Sequence, residues 1–181
     1  MGAHGAFASI LHAGDDTRGP DDPRLALPPR LEPVHHDFRD VLAELLAAKA
    51  RFMVVGAHAL GVHGVPRATV DLDIWVEPTP ENAARVWRAL SSFGAPLSAL
   101  RITEADFTKP DTVAQLGLPP FRIDVMCSVS GVTFDEAWPH RVEGSFDDVK
   151  VPCIGRAEFI RNKRASARRK DLADIEYLGE E

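Results

Sequence analysis

Apolar residues along this chain recur with helical spacing in some stretches and alternate or cluster in others, and these two rhythms mark out its elements. From His36 to Ala50, Phe38, Val41, Leu42, Leu45 and Leu46 fall at i, i+3, i+4, i+7 and i+8, which predicts a helix with one apolar face. Arg51 to Gly56 is a short apolar run stopped by glycine, the mark of a buried strand, and the small residues Ala57 to Leu60 follow it. Val70 to Val76 reads as a second strand in which Val70, Leu72, Ile74 and Val76 share one face. Thr79 is a good N-cap and Pro80 suits the first helical position. Ala83, Val86, Trp87 and Leu90 then form a buried stripe, and Gly94 ends the helix. Phe121 to Met126 alternates as a third strand, with Arg122, Asp124 and Met126 on one side and Phe121, Ile123 and Val125 on the other. A short helix follows at Thr133 to Trp138. Val149 to Ile154 reads as an edge strand, because Pro152 cannot donate to a ladder. Two helices, about Arg156 to Ala165 and Asp171 to Leu178, close the chain. Residues 95 to 120 hold three proline-bearing stretches and give no single period.

Prolines at 20, 23, 28, 29 and 33 forbid a regular helix or a central strand early in the chain. Residues 1–34 therefore read as an irregular Pro/Gly-rich arm, ahead of a domain spanning 35–181. A length of 181 residues suits one domain, and 45% apolar content is ordinary for a globular core. The net charge of −6 argues against a protein that simply coats nucleic acid. The apolar stretch Ala6 to Leu11 is short and lacks a basic flank, and no segment approaches the roughly 18 apolar residues that cross a bilayer. The expectation is a cytoplasmic protein with no membrane partner. Cys127 and Cys153 are far apart in apolar surroundings and read as buried free thiols. His58 and His63 lie about 140° apart around a helix and do not face one ion together, while His35 and His36 read as a solvated helix start.

The strongest chemical signal is Asp71-Leu72-Asp73. On a strand these two acids point to the same face, with Cα atoms roughly 6.5 to 7 Å apart. Carboxylates that close repel, so one must take a proton unless a cation or a basic side chain lies between them. Magnesium suits the spacing, being a hard ion that uses one or two carboxylates and substrate phosphates. Asp124 has the same strand setting among apolar neighbours, where an acid is costly without a purpose. If its strand pairs beside 70–76, three acids converge on one patch. Just ahead of the pair lie Arg67 and Thr69; the planar fork of Arg67 suits either a triphosphate or Asp71 and Asp73 themselves.

These residues resemble the signature of the polymerase-beta-type nucleotidyltransferase superfamily: an apolar residue, Gly, Gly or Ser, a spacer, then Asp-apolar-Asp-apolar. Here it reads Val55-Gly56-Ala57, thirteen intervening residues, and Asp71-Leu72-Asp73-Ile74. The longer stretch from Val54 to Ile74 is similar to minimal bacterial and archaeal nucleotidyltransferase-like proteins related to abortive-infection (AbiEii-type) toxins. Arg122 to Met126, Ile160 to Lys163 and Lys170 to Ile175 fit that group too, so the resemblance covers roughly residues 36 to 178. It implies an α/β (α+β) fold, a mixed sheet flanked by helices with the C-terminal helices closing the site. It also implies that Gly56 and the N–H of Ala57 hold the phosphates of an NTP, and that Asp71 and Asp73 bind Mg²⁺ or Mn²⁺. Asp124 would complete the metal site and help deprotonate the acceptor hydroxyl. Lys163 and Lys170 would neutralise phosphate charge or close the site. Two departures stand out: Ala57 replaces the second Gly or Ser, and Ala167-Arg168-Arg169 stands where relatives often have Gly and Pro.

The expected activity is transfer of a nucleoside monophosphate from an NTP to a hydroxyl on a tRNA end or a protein side chain. A non-catalytic binding module, one half of a toxin–antitoxin pair, is the alternative motivated by Ala57 and the arm; a phosphohydrolase using the same acids is a third. Six basic residues between Arg161 and Lys170 form either a solvated face or a landing strip for nucleotide or RNA. Lys170 and Asp174, at i and i+4, are spaced to pair.

Overall fold

The computed structural model describes residues 36–118 and 120–180. The expected arm over 1–34, together with His35, lies outside the described residues. The elements in chain order are α1 (His36–Ala47), β1 (Phe52–Val55), α2 (Gly56–Val62), β2 (Asp71–Val76), α3 (Pro80–Phe93), a 3₁₀ turn (Glu104–Thr108), β3 (Val113–Leu118), β4 (Phe121–Met126), α4 (Phe134–Ala137), a second 3₁₀ turn (Trp138–His140), β5 (Val142–Phe146), β6 (Val149–Cys153), α5 (Arg156–Ser166) and α6 (Arg169–Tyr177). The six strands form one mixed sheet in the order β3-β4-β2-β1-β6-β5. β2 runs parallel to β4 and β6 parallel to β1, while the β1–β2, β3–β4 and β5–β6 pairs are antiparallel.

Both faces of the sheet are covered, which is why β1 is apolar at every position. Phe52 and Val54 join a cluster with Phe38, Val41, Leu42 and Leu45 of α1 and Ala83, Val86, Ala89 and Leu90 of α3. Met53 and Val55 turn the other way, to Leu60 of α2, Phe134 of α4 and Phe159 of α5. β2 divides its side chains by the same rule. Leu72, Ile74 and Val76 enter the first cluster, whereas Trp75, on the face shared by Asp71 and Asp73, enters the second.

The helix ends show the local chemistry at work. The Thr79 hydroxyl accepts from the Asn82 N–H at 3.3 Å, and Gly94 takes the left-handed C-cap at φ 87°. The first helix stops three residues short of the expected Ala50. The Lys49 N–H reaches the Leu46 carbonyl and the Ala50 N–H the Leu45 carbonyl, with Lys49 left-handed at φ 55°. That is the Schellman closure with a lysine in the position glycine favours.

One expectation is corrected, and two strands appear that the sequence pattern does not mark. β6 is not an edge strand, because β5 pairs outside it. Pro152 is tolerated there because the β1–β6 ladder is short, with Val54 and Cys153 the one pair in register and the Ile154 N–H bonded to the Val54 carbonyl at 3.0 Å. The residue two before Ile154 would aim its N–H at the same neighbour, and that residue is proline. The first unmarked strand is β3, which lies in the proline-bearing stretch that gave no period. The second is β5, whose Val-Glu-Gly-Ser-Phe sequence has too few apolar residues to announce a strand.

Between α5 and α6, Ala167 occupies the left-handed position at φ 49°, donating to the Lys163 carbonyl at 3.0 Å. A non-glycine residue there costs roughly 1 to 2 kcal/mol, partly offset by the larger entropy glycine loses on folding. Ala167→Gly is expected to stabilise the protein by about 0.5 to 1 kcal/mol, read as a rise in the denaturant midpoint at unchanged slope.

Candidate active site on the β2–β4 face

Register, more than any single residue, assembles the acids. In the parallel β2–β4 pair, Asp71 stands opposite Arg122 and Asp73 opposite Asp124. Residues paired in register project to the same face, so three carboxylates and one guanidinium share a patch two residues wide and two strands deep. Val55 of β1 and Gln115 of β3 flank it, opposite Asp73 and Asp124 respectively. The three acids named from the sequence are therefore neighbours, on the face that also carries Met53, Val55 and Trp75.

Arg122 is the residue to which sequence reasoning gave no role. Its Nη2 lies 3.2 Å from Asp71 Oδ2 and its Nε lies 3.1 Å from Asp124 Oδ1. The contact with Asp124 is ionic: Arg122 Nε and Asp124 Oδ1 are both buried without an aligned hydrogen-bond partner. The signal was present, since Arg122 sits two before Asp124 on the same strand face. Gln115, which stands opposite Asp124 on β3, lay in the stretch without a period and left no such signal.

Burial and like charge push the Asp73 and Asp124 carboxyls upward. Asp73 is raised to about 6, by desolvation first and the Asp124 charge second, with Lys170 and Lys163 opposing. Asp124 is raised as well, again mainly by burial, while the Arg122 charge pulls it back. Gly56 explains how the backbone comes so near. Its φ is +65°, and a Cβ there would lie 2.0 Å from Asp73 Oδ2 and 2.9 Å from Asp73 Cγ. Only glycine meets both conditions, the left-handed turn and the close approach.

The remaining expected site residues fall into two groups. Ala57 is buried at the start of α2, next to Gly56. Thr69 is tied to the acid strand: its hydroxyl donates to the Asp71 carbonyl at 3.1 Å and accepts from the Asp71 N–H at 3.3 Å. Arg67 pairs with neither Asp71 nor Asp73. Its Nε lies 3.2 Å from Asp174 Oδ1, because α6 brings a buried acid over the loop before β2. Lys163 is only 4% exposed, with Nζ 2.7 Å from Asp171 Oδ1 and 2.9 Å from Asp174 Oδ2, and Arg168 holds the other oxygen of Asp171 at 2.6 Å. The expected pairing of Lys170 with Asp174 is thereby corrected: Asp174 is committed to Lys163 and Arg67. Lys170 is exposed in the first turn of α6, and its charge reaches Asp73. His63 Nε2 lies 2.9 Å from the Ile154 carbonyl, and His58 packs between Phe38 and Phe146.

The donor set fits a hard divalent cation in its chemistry: carboxylate oxygens, two of the three acids raised by burial, and a buried Asp124 oxygen short of a partner. As they stand, no three His, Cys, Asp or Glu side chains among the described residues are gathered to hold a metal. Between Asp71 and Asp124 the positive charge belongs to Arg122.

Two outcomes follow. Gly56→Ala is expected to lower stability by at least about 1 to 2 kcal/mol, since the left-handed turn alone costs that much before Asp73 is displaced; urea unfolding measures it. Asp73→Asn is expected to raise Tm above that of the parent in chelator-containing buffer at neutral pH. The folded carboxyl, near 6, keeps a proton that the unfolded one releases near 3.8, so ionisation disfavours the fold as pH rises through that window. The Asn variant's advantage is therefore full above pH 6 and fades towards pH 4, and a difference that does not change with pH excludes this account.

No family model and no curated protein matches this sequence. Solved structures do. The lincosamide antibiotic adenylyltransferase LnuA, crystallised with lincomycin, aligns with a TM-score of 0.52 at 14% identity, over 81% of this chain and 96% of that one. A protein from Thermotoga maritima assigned as a nucleotidyltransferase aligns with a TM-score of 0.50 at 15% identity, over 80% of this chain and 89% of that one. The mixed six-stranded sheet and its helices are the nucleotidyltransferase fold.

Proposed function

We propose that this protein transfers a nucleoside monophosphate from an NTP to a hydroxyl acceptor, with Mg²⁺ or Mn²⁺ held by Asp71, Asp73 and Asp124. The observation that carries the reading is the pairing of Asp73 with Asp124 in register on β2 and β4, directly beside the Gly56 bend. Bound there, a divalent cation supplies charge neutralisation and polarises the phosphate oxygens. The chain's own groups do the rest. The backbone around Gly56 and Ala57 cradles phosphate oxygens at the strand-to-helix turn, and loss of a hydroxyl at position 57 leaves that backbone intact. Asp124, its carboxyl raised by burial, takes the proton of the acceptor hydroxyl. The acceptor oxygen bonds to the α-phosphorus as the bond to the bridging oxygen breaks, and pyrophosphate leaves. Lys170, exposed and near Asp73, balances the leaving charge. Lys163 contributes by position: buried between Asp171 and Asp174, it fixes α5 and α6 over the acid face.

A tRNA end or a protein Ser, Thr or Tyr is the acceptor class this reading carries, and a toxin–antitoxin setting is the context that its resemblance to abortive-infection toxins points to. The test is the full chain with α-labelled NTPs and Mg²⁺ or Mn²⁺, offered RNA and protein acceptors, beside Asp73→Ala. Labelled acceptor with matching pyrophosphate is expected from the parent, falling about 100-fold or more in the variant. Equal labelling by both removes the acids from the chemistry, free phosphate in place of pyrophosphate indicates hydrolysis, and no labelling with any acceptor favours a binding module.

A further inference from the structure

We propose that Arg122 is a built-in counter-cation that competes with the divalent metal for Asp71 and Asp124, so that loading the site requires its guanidinium to swing away. The inference rests on the metal-dependent reading above and adds a second state to it. Three features carry it. The guanidinium bridges two acids on adjacent strands, at 3.2 and 3.1 Å, and so occupies the place between them that a shared cation needs. Its hold on Asp124 is imperfect, since Nε and Oδ1 face each other buried but misaligned; the ion pair is set by charge and is open to replacement. And the side chain has somewhere to go. It is 38% exposed, and the residue opposite Arg122 on its far side is Gly117 of β3, which offers no side chain to block it. The row across the sheet reads Asp71, Arg122, Gly117: an acid on one hand, a residue without a side chain on the other.

An arginine is suited to this exchange. Its positive charge offsets Asp71 and Asp124 when metal is absent, and its fork spans two carboxylates where a lysine makes one point contact. Asp71 and Asp124 are thereby kept tolerable without a proton, and weakly held metals are excluded by competition.

The experiment is Mn²⁺ binding to the full chain at fixed pH, followed by calorimetry and by the electron paramagnetic resonance of the free ion, for the parent, Arg122→Gln and Arg122→Lys. Arg122→Gln is expected to bind Mn²⁺ about tenfold tighter or more, and Arg122→Lys several-fold tighter. Without metal both variants are expected to melt below the parent, and saturating Mn²⁺ is expected to raise their Tm by more than it raises the parent's. If Arg122→Gln does not fold, the same ordering of Arg122→Lys against the parent decides the matter. Equal or weaker Mn²⁺ binding by the variants, with measurable binding by the parent, overturns the competition and leaves the metal site standing. Absence of Mn²⁺ binding in parent and variants alike overturns the metal site and the competition with it.

Discussion

Like charges crowded into a half-buried patch must be compensated, and the central constraint on this molecule is how that is done for Asp71, Asp73 and Asp124. Two carboxylates a few ångströms apart in low dielectric repel by more than the fold can spare, so a proton or a cation has to enter. The protein uses both solutions at once. Arg122 bridges Asp71 and Asp124, while Asp73, beyond its reach, is left with a raised affinity for a proton. The architecture around the patch follows. β2 and β4 run parallel so that acids meet in register, Gly56 removes the side chain that would collide with Asp73, and both sheet faces are covered so that the patch stays partly dry.

A second set of charges performs a different task. Lys163, Asp171 and Asp174 are buried together, with Arg67 and Arg168 at the rim. Removing one member of such a network leaves an uncompensated buried charge, typically at a cost of about 3 to 5 kcal/mol. The network ties α5 to α6, and through Arg67 ties α6 to the loop that enters β2. The acid strand is thus anchored at its start by the same ions that seat the C-terminal helices. Thr69 completes the anchor by closing hydrogen bonds on the backbone of Asp71.

Much of this was legible in the residues, and the reasons for the gaps are physical. The long periodic segments, the Thr79–Pro80 start and the Gly94 stop gave α3 almost to the residue, and the alternation of β2 and β4 placed the acids on one face. Strand pairing was not legible, because register is a long-range property; the partnership of Asp73 with Asp124 entered as a condition and the structure supplied it. β5 escaped notice because, inside Val-Glu-Gly-Ser-Phe, pairing with β6 outweighs local preference. The sequence offers Arg67 a triphosphate or the Asp71/Asp73 pair, and Lys163 a phosphate, but their buried acidic partners lie on α6, which sequence spacing does not bring near. Arg122 was visible on the right face, but nothing local says that an arginine two residues from an acid on a strand will also span to the neighbouring strand.

The single missing amide of Pro152 has a wider meaning. Because the β1–β6 ladder cannot extend past it, the sheet has a seam: strands β3, β4, β2 and β1 form one continuously bonded block, and the β5–β6 hairpin adjoins it through little main-chain bonding. What secures the hairpin is side-chain contact, with Phe146 and Val151 in the core and Asp148 gripped by Arg39 of α1 at 2.8 and 3.0 Å. The seating of the hairpin on the block that bears the acids therefore depends on side-chain packing more than on a continuous ladder.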